Sequence, residues 1–241
     1  MTAYLAANGA HVVTVNLFVP WYGAAVADVV LADATALSGA VTLTIANATF
    51  AMSVARNPQG VELSRAFAGQ TYARLVGGAG GWSRTVSLAP LKAPTGGSVL
   101  LSTALNDLAM AAVNPVTGKA ESVVLGSGLD RSIGAFYVPA VNRPAGSLLA
   151  ALANPLWYVD AAGVTQVATT RTGPAIAATA GQVEHYSAGM GWVSVATEDV
   201  RSWLTPGATY VSATVPMGIT VNAARVHSGD DGVLRVEVLT A

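Results

Sequence analysis

The sequence predicts a mainly β protein made of antiparallel barrel- or sandwich-like domains, with two short helices that give its middle an α+β character. Three observations lead there. Apolar and polar residues alternate with period two in segment after segment, and Gly-, Pro- and Asp-rich breakers separate those segments. Apolar residues at helical spacing occur in only two stretches, both central.

The first strands are expected at "HVVTVNLFV" (residues 11–19) and "AAVADVVLA" (residues 24–32), joined by a turn at Pro20, Trp21, Tyr22 and Gly23. No Asp, Glu, Lys or Arg precedes Asp28, which imitates a signal peptide or a membrane span. Met1 to Asn8 lacks the basic start of a signal peptide, although Ala25, Val26 and Ala27 resemble a cleavage site. Asn8, His11, Asn16, Pro20 and Gly23 interrupt the apolar run, so the expectation is buried strands and no stable membrane span. Further alternation marks strands from Val41, Val61, Thr209, Ile219 and Val233, with breakers at residues 56–60, 77–81 and 228–232.

In "SVLLSTALNDLAMAA", Ser98 is the expected helix cap, and Leu100, Leu101, Ala104, Leu105, Leu108 and Ala112 share one face. In "NRPAGSLLAALA", Pro144 suits a first turn, Leu148, Leu149 and Leu152 form the apolar side, and Asn154-Pro155 ends the helix. The Gly- and Pro-rich connection at residues 89–97 marks a boundary. The expected domains are therefore an N-terminal β domain (1–90), a connecting segment with both helices (91–155) and a C-terminal β domain (156–241). The last opens with a hairpin, residues 156–159 and 164–168, turning at Asp160 and Gly163.

Composition narrows function. Only 10% of the 241 residues are charged, 52% are hydrophobic, and the formal net charge is -1. Such a chain has little charge repulsion to keep copies apart, which suits a subunit whose flanks are covered. Lys and Arg are scattered, so specific nucleic-acid binding is not expected. Cysteine is absent, which removes disulfides and thiolate metal sites.

No motif carries chemistry, and neither catalytic residue, metal nor cofactor is expected. His11, His185 and His227 have no partner at metal-ligand spacing, and the neighbours Glu184 and His185 should point to opposite faces of a strand. "GGAGG" (residues 77–81) lacks the spacing of a dinucleotide fingerprint and precedes an expected strand, so a flexible turn is predicted. "TGKAES" has Ala120 where a phosphate-binding loop needs a hydroxyl, and Asp230-Asp231-Gly232 suits a turn better than a calcium loop. Asn47-Ala48-Thr49 fits the glycosylation pattern, which matters only on a secretory route. Trp82, Trp157, Trp192 and Trp203 lie in β or apolar patterns and are expected in cores; Trp21, in a turn, is the exception.

Taken in order, "GGAGGWSRTVSLAP", "VLLSTALNDLA", "VPAVNRPAGSLLAALA", "WYVDAAGVTQVA" and "GWVSVATEDVRSWLTPG" resemble a bacteriophage tail protein of the baseplate hub type, from about Phe50 onward. The resemblance implies a non-enzymatic virion structural protein of the tail tip or baseplate, assembled in the host cytoplasm. It further implies a homo-oligomer, usually a trimer, whose paired β domains form a pseudo-sixfold ring. Such a ring adapts the tail tube, beside the distal tail protein, to a central spike or fibre, and DNA passes through it without specific binding. On that footing Trp21, Trp157, Tyr158, Arg171 and Trp203 are the expected interface residues, with Trp157 and Tyr158 as anchors and Arg171 at the rim. The alternative is a secreted β-rich carbohydrate-binding or adhesin module.

Overall fold

The computed structural model describes residues 4–57, 59–78, 81–83, 85–86, 97–113, 118–134, 143–152, 156–228 and 233–240. The first strands are β1 (Leu5–Ala7), β2 (Ala10–Val19), β3 (Val26–Leu31), β4 (Ala40–Ile45), β5 (Ala48–Val54), β6 (Ser64–Phe67) and β7 (Gln70–Gly77). They close a six-stranded antiparallel barrel in the order β1-β4-β5-β7-β3-β2, because β1 also pairs with β2. The alternation read in the sequence explains the inside: Val15 and Leu17, Ala27 and Val29, Leu43 and Ile45 are buried, and their neighbours along each strand face outward. Each large apolar side chain so enclosed contributes about 1.5–3 kcal/mol. Strand β6 stands off this wall and pairs with β7 alone among the described strands.

The next elements are β8 (Thr85–Val86), β9 (Ser98–Leu100), α1 (Leu101–Ala111), β10 (Val123–Leu125), β11 (Ser132–Gly134), β12 (Arg143–Pro144), α2 (Ala145–Leu152), β13 (Leu156–Val159) and β14 (Thr165–Ala168). Both expected helices form. The cap differs: Ser98 lies in β9, Leu100 occupies the cap position without a side-chain bond, and Asp130 serves instead, accepting from Ser102 N at 3.0 Å and Ser102 Oγ at 2.8 Å. Leu100 is 51% exposed and off the apolar face, which consists of Leu101, Ala104, Leu105, Leu108, Ala109 and Ala112. These residues and Leu148, Leu149 and Leu152 of α2 pack with Trp82, Val159 and Val167 into a second core. The connection at 89–96, the stop at Asn154-Pro155 and the turn at 229–232 lie outside the described residues.

The final elements are β15 (Ala175–Ile176), β16 (Gln182–Ser187), β17 (Trp192–Ala196), α3 (Val200–Trp203), β18 (Thr209–Ser212), β19 (Val215–Ser228) and β20 (Leu234–Thr240). Strand β19 is the hinge of the topology. It pairs with β18 and β20, and its far half, Ala224 to His227, pairs with Val19 to Asn16 of β2. The sheet therefore runs unbroken from the barrel through β19, β20 and β17 to β16, and one buried cluster extends from Leu5 to Val238. Helix α3, absent from the expected elements, follows Asp199, whose carboxylate accepts from Ser202 N at 3.4 Å and Ser202 Oγ at 2.7 Å.

Candidate assembly site: the junction around Arg171

The hairpin β13–β14 forms as its residues dictate. Asp160 accepts from Val164 N at 2.9 Å and from Gln166 Nε2 at 3.0 Å, while Gly163 takes φ +82°, the left-handed region that glycine enters freely. The hairpin then docks on the barrel: Gly23 N donates to Trp157 O at 2.7 Å, Val159 N to Gly23 O at 3.0 Å, and Ala51 N to Ala161 O of its turn at 2.9 Å.

Arg171 closes the joint. Its Nη1 donates to the carbonyls of Pro20 at 2.8 Å and Trp21 at 2.7 Å, and its guanidinium lies 3.9 Å from the centre of the Tyr158 ring. Burial pulls its pKa down from 12.5 to about 10, against the opposing influence of Tyr158 and Asp160, so it stays cationic at neutral pH. Two residues on, the chain passes so close to the β18 approach that a Cβ on Gly173 would sit 2.4 Å from Ala208 N. Arg171 and Gly173 are thus the place where hairpin, barrel and C-terminal strands meet.

Four of the expected interface residues, Trp21, Trp157, Tyr158 and Arg171, come together here, all partly buried. Trp157 also packs against Trp82, with ring centres 6.4 Å apart. Trp203 lies elsewhere and has 0% exposure: it sits in the main core, its ring 4.7 Å from that of Tyr210 and its Nε1 donating to Ala180 O at 3.3 Å. Within a single chain it offers a neighbour no surface.

Three further pins hold the units together. Glu121, 6% exposed, accepts from Gly81 N at 2.8 Å, and Trp82 Nε1 donates to Thr165 Oγ1 at 2.7 Å. The glycine run, expected as a flexible turn, holds buried Gly77, Gly78 and Gly81, with Gly78 in a turn at φ +79°; residues 79 and 80 lie outside the described residues. The anion held by Gly81 is the chain's own carboxylate. Asn47 Nδ2 donates to Asp199 Oδ1 at 2.7 Å, and Arg201 N donates back to Asn47 Oδ1 at 3.0 Å, tying the β4–β5 turn to α3. The side chain of the glycosylation pattern is used here as a structural clasp.

Glu184 and His185 have separate partners. Arg235 Nε donates to Glu184 at 3.2 Å, and the His185 ring packs at a 50° tilt against Trp192 with ring centres 5.0 Å apart. A register shift in β16 between Val183 and His185 breaks strict alternation at this point. Among the described residues no group of three or more His, Asp or Glu side chains could hold a metal ion, and no helix is long and apolar enough to cross a membrane.

No family model and no curated protein matches the sequence. Solved structures do match. The chain is similar to a tail protein from Neisseria meningitidis, with TM-score 0.62 and 11% identity over 99% of this chain and 95% of that one. It is similar also to the 43 kDa tail protein of prophage MuSo2 from Shewanella oneidensis, with TM-score 0.58 and 10% identity over 98% and 96%. A third similarity is to an E. coli component of the type VI secretion system, described as structurally similar to the T4 bacteriophage tail proteins gp27 and gp5, with TM-score 0.57 and 10% identity over 100% of this chain and 74% of that one. The similarity takes in the residues before Phe50 as well, and along its whole length the chain has the fold of these tail and secretion proteins.

Proposed function

We propose that the chain is a structural, non-enzymatic subunit of a phage-type tail, placed at the tail tip or baseplate as a hub ring that adapts the tail tube to a central spike or fibre. The observation that carries this is the end-to-end match of the fold to two tail proteins and to a secretion component likened to tail proteins. The junction is in keeping with a mechanical role. Arg171, Glu121 and Asn47 fix three units by bonds between residues distant in sequence, which suits a part that transmits load between neighbours. We place three copies around the tail axis, with residues 1–90 and 156–241 as the two β units of each and 91–155 as the connection. Trp21, Trp157 and Tyr158 would supply the half-buried aromatic rim of that arrangement.

A sugar-binding module fits less well. Neither the groove of about 940 Å³ over β2, β3 and β7 nor the cleft of about 670 Å³ beside Arg171 has an indole in its lining for a pyranose to stack on. The test is location. Antibody-bound gold against an epitope-tagged copy should mark one end of purified tail particles; label found only in a soluble secreted fraction that binds glycans would overturn the proposal.

A further inference from the structure

The sheet that joins the two β units leaves a strand edge at each side. At one side is β6, whose described strand partner is β7; at the other is β16, whose described strand partner is β17. Between them lie β7, β3, β2, β19, β20 and β17. An unpaired edge presents a row of N–H and C=O groups that accept another strand. On β6 the residues Arg65, Ala66 and Phe67 are all exposed, Phe67 at 64%.

We infer that β6 of one copy pairs antiparallel with β16 of the next, extending the sheet head to tail with Arg65 opposite Glu184; this rests on the proposal that the chain assembles with itself. Charge selects the pairing. Arg65 is the only charged residue of β6 and is in no ion pair among the described residues, whereas Glu184 is the only acidic residue of β16. Glu184 meets Arg235 through Oε2 and keeps a second oxygen. In the register that centres on the charged residue, pairing β6 with itself would bring two guanidinium groups together, and pairing β16 with itself two carboxylates. The unlike pair alone gains from its charges, so closed twofold dimers are disfavoured against a directional chain of copies.

The faces agree as well. Arg65 lies opposite outward-facing Tyr72, so Arg65 and Phe67 face outward and Ala66 inward. Gln182 lies opposite Ala196, itself opposite Arg235 on the polar face, while Val183 lies opposite buried Val195. With Arg65 against Glu184, Ala66 meets Val183 and Phe67 meets Gln182. Over these three positions inner residues meet inner and outer meet outer; the match ends at the register shift beyond Glu184, where inward Ser64 would meet His185.

The absence of native cysteine makes the test direct. Arg65→Cys and Glu184→Cys proteins, oxidised alone, should remain monomeric on non-reducing gels, and an equimolar mixture should give a covalent dimer that reduction reverses. Separately, Arg65→Glu should raise the concentration for half-association at least tenfold, and adding Glu184→Arg should restore it. Wild-type association without a cross-link in the mixture would overturn the strand pairing and leave the hub proposal standing. A wild-type chain that never associates would overturn both.

Discussion

Arg171 shows what one residue can hold. A planar guanidinium reaches two adjacent carbonyls while covering an aromatic ring, a geometry that a lysine ammonium reproduces only in part. Arg171→Ala would leave the carbonyls of Pro20 and Trp21 without their charged donor in a half-buried joint. We expect a loss of about 2–3 kcal/mol in urea unfolding, with Arg171→Lys falling between that and wild type. Equal stability of all three proteins would remove Arg171 as the joint's fastener. Its partners lie 151 and 150 positions away, so the sequence announced an arginine after a hairpin and nothing about what it grips.

At the scale of elements, helix α3 and its clasp give a pH-dependent prediction. Burial pushes the Asp199 carboxyl up, but bonds from Ser202 and Asn47 and the charge of Arg201 outweigh it, leaving a pKa below the ordinary 3.8. The folded state therefore holds this proton less tightly than the unfolded one. The stabilisation is complete above the ordinary value and is lost as pH falls through the lowered one. Asp199→Ala should cost about 1 kcal/mol at pH 7. The gap to wild type should narrow below about pH 4, and a gap unchanged with pH would show that charge has no part in the clasp.

Elements were legible where the signal is local. Hairpin β13–β14 followed from Asp160, Gly163 and two β-favouring runs, and the helix faces of α1 and α2 followed from leucine spacing. The α1 cap was misread because Ser98 is the nearer hydroxyl, yet Asp130 comes in from β11's approach, 28 residues on. Helix α3 is a single turn, too short to show periodicity; Asp199 three residues before Ser202 was its one signal. The pairing of β2 with β19 follows from no local pattern, because it joins residues some two hundred positions apart whose alternation suits many registers.

For the whole molecule, the sparse charge noted in the sequence acquires a place. Part of it sits on the outward face of the joining sheet, where Asp28 faces Arg74, Arg225 faces Glu237 and Glu184 meets Arg235. These pairs balance one another, and the surface also includes exposed Phe67, Met110, Met190, Val211 and Met217. Exposed apolar groups with little repulsion between molecules favour association. Self-assembly is the claim on which the hub proposal depends. Sedimentation equilibrium of the purified chain across a wide concentration range tests it most directly: a mass of three protomers, or a multiple of three, is predicted, and a mass of one 24.3 kDa chain at every concentration would contradict it.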